Sequence, residues 1–278
     1  FTGSISIILE ALHSMNDMVA SIITMFAVRK SAKPPDEEHH YGHGKIENIS
    51  AFLEAALIIF AAVFIIYEAI NRLNSNSKIE YIEVGIAIMF IVIITNFLVS
   101  MYLYYVSRIT DSSALEADAV HLSTDVITTL GVFAGLIVIR LTGHTILDPI
   151  IAIFVAILII ITGVKLALKS SRDLMDTKIS SDEVEKIQKI INSHKKDFVE
   201  FHELRTRKAG VQRYIDVHLV MAKEKNIEEG HALVDHIEKE IAEKMTNTNV
   251  LIHIEPCNGL CEKCNLNKNC KKSIKPYI

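Results

Sequence analysis

The chain has 278 residues, half of them hydrophobic, and a formal net charge of -4. The mean hydropathy of +0.31 is high for an ordinary soluble protein. With no dense basic run and no basic stretch interleaved with aromatics, nucleic-acid binding has no support. The charge averages two unlike halves, because apolar residues dominate up to about residue 177 and charged, short-period sequence follows.

Residues 5–28, 46–70, 81–106, 114–139 and 146–168 each approach or exceed the roughly 20 residues needed to cross a bilayer as a helix. An odd number of spans, and a chain opening FTGSISII, lead us to expect a further helix ahead of Phe1. No secretory signal is present, so insertion rests on the spans themselves. Arg29, Lys30, Lys33 and Lys45 lie in and around the first connection, and Lys165, Lys169 and Arg172 mark the exit of the last span. The alternate connections hold only Arg72, Lys78 and Arg140. The positive-inside rule therefore puts the first group and the C-terminal region in the cytoplasm.

Within the first span, LEALHSMNDMVASII carries His13 and Asp17, four residues apart and so on one helical face. The fourth span repeats the spacing in AVHLSTDVITT with His121 and Asp125. Ionisable groups at membrane depth are costly and usually mark a pathway. Two helices that each present an imidazole and a carboxylate can offer four ligands to a small cation, a set suited to tetrahedral zinc. The bland alternative is a pair of interhelical hydrogen bonds, and the repeated spacing argues against it. Asn16 could add an oxygen. Glu10, Glu54, Glu68 and Asn96 stand alone in or near spans and read as interfacial or packing groups.

The first connection, KPPDEEHHYGHGKIE, holds Asp36, His39, His40 and His43. Pro34 and Pro35 end the preceding helix, and Gly42 and Gly44 let the backbone turn. Beyond the last span, SDEVEKIQKIINSHK reads as a capped amphipathic helix, followed by strands in VEFHELRTRKAG and VQRYIDVHLVMA. A second helix at roughly 227–245 and a third strand, NVLIHIE, complete an α, β, β, α, β order. The tail, CNGLCEKCNLNKNC, spaces Cys257, Cys261, Cys264 and Cys270 as C-x3-C-x2-C-x5-C. Clustered thiols in the cytoplasm suggest metal ligands rather than disulfides, with a four-thiolate zinc site read first and an iron–sulfur cluster second.

Taken in order, TGSISIILEALHSMNDMVAS, DEEHHYGHGKIE and ALEADAVHLSTDV resemble the cation diffusion facilitator family, and the likeness covers almost the whole chain. The resemblance implies a polytopic α-helical membrane domain, five spans visible of six, joined to a cytoplasmic α+β ferredoxin-like domain. It implies a homodimer in the lipid bilayer that exports divalent metal in exchange for protons. We expect boundaries at 1–172 for the membrane domain, 177–256 for the cytoplasmic domain and 257–278 for the cysteine tail. Carried over by position, His13, Asp17, His121 and Asp125 form the transport site. Asp36, His39 and His43 form a loop site, with His40 outside the pattern. Lys45 resembles a lysine that pairs with an aspartate after the last helix, for which Asp176 is the candidate. His202, His218, His231, His253 and Glu255 match a cytoplasmic metal site shared across the dimer, although the last of these is commonly Asp. His236 matches nothing.

Metal needs deprotonated carboxylates and neutral imidazoles, so protons compete for the same side chains. An unperturbed imidazole titrates near pH ~6.5. We therefore expect a Zn(II)/proton antiporter of the plasma membrane, with zinc also as regulatory ligand. The alternatives are a membrane-anchored sensor without transport, or the same transporter with Fe(II), Co(II), Ni(II), Cd(II) or Mn(II) as cargo. An intramembrane metalloenzyme would need an open metal position and a general base, as in H-E-x-x-H, and the chain has no such motif.

Overall fold

The computed structural model describes residues 5–73, 82–142 and 147–257, with side chains described within 18–71, 90–131 and 149–257 except at 128 and 151. The chain divides into two compact units, Phe1–Leu174 and Met175–Ile278.

Among its described residues, the first unit has five long helices: α1 (Ile5–Ser31), α2 (Lys45–Leu73), α3 (Ile82–Thr110), α4 (Ser113–Thr142) and α5 (Leu147–Leu174). Each has 27 to 30 residues, or about 40 Å of helix against a hydrocarbon core of about 30 Å. Among the described residues, Lys45–Asn71, Phe90–Thr110 and Ala152–Leu174 are long and apolar enough to cross a membrane.

Large side chains such as Phe60, Phe97, Tyr102 and Phe154 point outward, while Ala51, Ala55, Ala62, Ala117 and Ala156 are fully buried. Water-driven burial would give the reverse. Helices in lipid instead pack through small residues that let backbones approach closely. Gly163 on α5 marks the tightest such approach, since a Cβ there would lie 2.8 Å from Ile59 and 3.5 Å from the Ala55 carbonyl on α2.

The second unit has the order α6 (Ser181–Ser193), β1 (Glu200–Ala209), β2 (Gln212–Met221), α7 (Ile227–Lys244) and β3 (Thr248–Pro256). Both helices start at capping boxes, Ser180 with Glu183 and Asn226 with Glu229, which satisfy otherwise orphaned backbone donors. The strands lie in the order β1-β2-β3, with β1 antiparallel and β3 parallel to β2. Alternation on β2 sends Ile215, Val217, Leu219 and Met221 into the core, where they meet Ile187 and Ile191 of α6 and Ile237 and Ile241 of α7. His218 and Asp216 therefore occupy the other face of the sheet.

Candidate metal centres

In the membrane unit, α4 places His121 and Asp125 one turn apart, with Nε2 and Oδ2 separated by 3.9 Å. They are 3% and 5% exposed. Their partners in the expected site, His13 and Asp17, stand on the helical backbone of α1, but their side chains lie outside the described residues.

Around His121 the structure gathers groups that the sequence reading left out. Of the two readings given for Glu54, interfacial or packing, the structure shows it buried in the packing between helices, where it accepts a 3.1 Å hydrogen bond from Thr24 of α1. The Glu54 carboxyl also interacts with that of Asp118, one turn before His121. One oxygen of each acid, Glu54 Oε1 and Asp118 Oδ1, is buried without a hydrogen-bond partner. Glu54 was missed because nothing near it in the chain pairs with it; its partners come from other helices. Asp118, at i−3 from His121, was detectable from helical spacing alone.

At the cytoplasmic end, Glu47 joins three helices by accepting from Ser31 Oγ at 2.7 Å and Ser112 Oγ at 2.6 Å. Asn48 donates to Ser113 and to Asp173, and Lys45 donates to the Leu174 carbonyl at 3.2 Å. These bonds anchor the start of α2 directly beside the His-rich loop.

That loop brings Asp36, His39 and His43 together, with one ligand atom of each within 4.8 Å of the others. Asp36 Oδ1 accepts from the His39 N–H at 2.7 Å and lies 3.3 Å from His39 Nδ1, while Oδ2 lies 3.4 Å from His43 Nε2. The bond from the His39 backbone is the main reason that the Asp36 carboxyl sits below its usual range. Gly42, at φ +76, makes the turn that returns His43 to the cluster. His43 is buried with Nδ1 unpartnered, whereas His40 is exposed.

On the open face of the sheet, register places His202 opposite His218 and His218 opposite His253. Adjacent ring centroids are 5.4 Å and 5.0 Å apart, close to the spacing of neighbouring strands. The Glu255 carboxylate spans two of these rings, 2.8 Å from His218 Nδ1 and 3.3 Å from His202 Nε2. The His218 bond is the chief cause holding the Glu255 carboxyl below its ordinary value. A bulge after His202, with Glu203 at φ 50, turns a further carboxylate to 3.9 Å from His218 Nε2. One ligand atom each of His202, His218 and Glu255 lies within 4.8 Å of the other two; His253, next along the ladder, and His231, exposed on α7 in the helix layer, are outside that converging group.

Asp176, at φ 57, faces Arg207 at 3.3 Å within the second unit. Cys257 is buried against Val199 and Val220, and Cys261, Cys264 and Cys270 lie outside the described residues. No described feature supports an iron–sulfur cluster there. One more group, His194, His236 and Glu240, converges in the helix layer.

Comparison with known proteins matches residues 1–175 to a cation efflux transmembrane domain and residues 179–257 to the cytoplasmic domain of cation efflux proteins. The uncharacterized transporter sll1263 of Synechocystis sp. is 35% identical over 255 residues, covering 92% of this chain and 82% of that protein. The cation-efflux pump FieF of Yersinia pestis is 29% identical over 261 residues, 92% of this chain and 85% of its own. CzrB, solved in a zinc form, aligns with 28% of this chain and 90% of that chain at 31% identity and a TM-score of 0.28.

Proposed function

The chain belongs to the cation efflux family, also called cation diffusion facilitators, and from that premise we propose that this membrane-embedded cation efflux transporter carries Zn(II) outward in exchange for protons. His13, Asp17, His121 and Asp125 hold the cargo. The observation that carries the proposal is the burial of an imidazole and a carboxylate, His121 and Asp125, together with Glu54 and Asp118, inside a helical bundle built mainly of apolar residues, where such groups are retained for ions. Helical spacing adds support. Positions 13, 17, 21 and 24 form one stripe of α1, and Thr24 on it bonds Glu54.

Two imidazoles with two carboxylates favour zinc over harder manganese. Zinc binds with those side chains deprotonated, so release accompanies their reprotonation. No separate proton wire is required. Asp36, His39 and His43 form a loop site at the cytoplasmic mouth, and the ladder of His202, His218 and His253 with Glu255 forms a sensing site. His231 stands in the helix layer, away from that ladder, so its ligand role requires a second copy of the chain. The working form is a homodimer, and its membrane is the plasma membrane. The cysteines at 257, 261, 264 and 270 bind a further zinc.

Zinc-driven proton flux in proteoliposomes tests the proposal. The parent chain should exchange the two ions, and Asp125→Ala should reduce flux at least 10-fold; unchanged flux in Asp125→Ala would refute the assignment.

A further inference from the structure

The helix layer of the cytoplasmic unit carries a cluster that neither transport nor the sheet ladder uses. His194 is the C-cap of α6, with its backbone N–H bonded to the last turn. On α7, His236 and Glu240 are four residues apart and so project from one face. His194 Nε2 lies 2.6 Å from Glu240 Oε2, and the His194 and His236 rings meet edge to face with centroids 5.1 Å apart. One ligand atom from each of the three lies within 4.8 Å of the other two.

The positions bearing these groups are firmly held. Ile190 and Ile191 precede His194, Ile237 and Ile241 flank His236 and Glu240, and all four are buried in the core. Zinc bonds to nitrogen and oxygen are about 2.0–2.2 Å, so donors around one ion stand roughly 3.3–3.6 Å apart. His236 is exposed, so its ring has room to turn toward the other two. The cluster cannot share an ion with the ladder of the same protomer, because the side chains of Ile215, Val217 and Leu219 fill the space between helices and sheet. Lys244 bonds Glu240 through Oε1, which leaves Oε2 toward the histidines. The competing reading is a plain ion pair of His194 with Glu240, in which His236 has no part.

We propose that His194, His236 and Glu240 form a second cytoplasmic metal site, two imidazoles and one carboxylate for a borderline divalent ion of the zinc class, with water as fourth ligand, tying the end of α6 to α7. The inference does not depend on transport or on the identity of the cargo.

The test is equilibrium dialysis of the full chain in detergent against buffered Zn(II), with bound zinc counted per protomer. His236→Ala, at an exposed position, should lower the count by one without changing the melting temperature of the metal-free protein. His194→Gln, which keeps a hydrogen-bond donor toward Glu240, should lose the same ion, and the two changes together should lose no more than one. The triple variant His202→Ala, His218→Ala, His253→Ala should retain that ion. An unchanged count in His236→Ala, or loss of the ion with the ladder triple, would overturn the proposal.

Discussion

Glu54 and Asp118 put two carboxyls face to face in an apolar bundle, each with one oxygen lacking a hydrogen-bond partner. A buried acceptor without a donor costs about 1–3 kcal/mol. Glu54→Gln supplies an amide donor to Asp118, so it should raise the melting temperature, by the equivalent of about 1 kcal/mol, while slowing zinc uptake; a thermal melt and a vesicle uptake assay on the same preparation check both signs. In the cytoplasmic unit, Glu240 is pushed down to about 2 by its bonds to Lys244 and then to His194. A carboxyl depressed in the folded state contributes stability above its ordinary value of 4.5 and loses it as pH falls toward the folded value. Glu240→Gln should therefore flatten the acid side of the stability curve between about pH 4.5 and about 2. Melts across that range decide the matter.

Among the elements, α5 is where close packing leaves least freedom. A side chain at Gly163 would meet Ile59 at 2.8 Å, so Gly163→Leu must separate α5 from α2, and overpacking of this kind costs about 1–3 kcal/mol. A lower yield of folded protein, read by size-exclusion chromatography in detergent, is the expected result. Ile237, fully buried between α7 and the sheet, should cost about 2–5 kcal/mol as Ile237→Ala, measured by denaturant unfolding of the cytoplasmic unit in the full chain. These elements were readable in advance for a simple reason: apolar runs of bilayer length and two-residue alternation on β2 are local signals. The neighbours of His121 were not readable, since Glu54 lies on another helix and single acids carry no period. The bulge at Glu203 does leave a local mark, since the apolar alternation of Val199 and Phe201 slips by one position to Leu204 where the backbone turns to φ 50. His194 and Glu240 meet only because two helices lie side by side on one sheet, a consequence of tertiary packing that neither segment encodes alone.

At the scale of the whole molecule, transport requires that spans distant in the chain act on one ion. His121 and Asp125 alone leave a tetrahedral cation half coordinated, and α1 supplies the remaining pair in our account. Non-additivity is the signature of such sharing. The most direct measurement is zinc occupancy of the full chain by equilibrium dialysis for Asp17→Ala, for Asp125→Ala and for the two combined. The account predicts that each single change removes the same one ion per protomer and that the combination removes no second. Loss of two ions in the combined variant, or retention of the ion in Asp17→Ala, would contradict it.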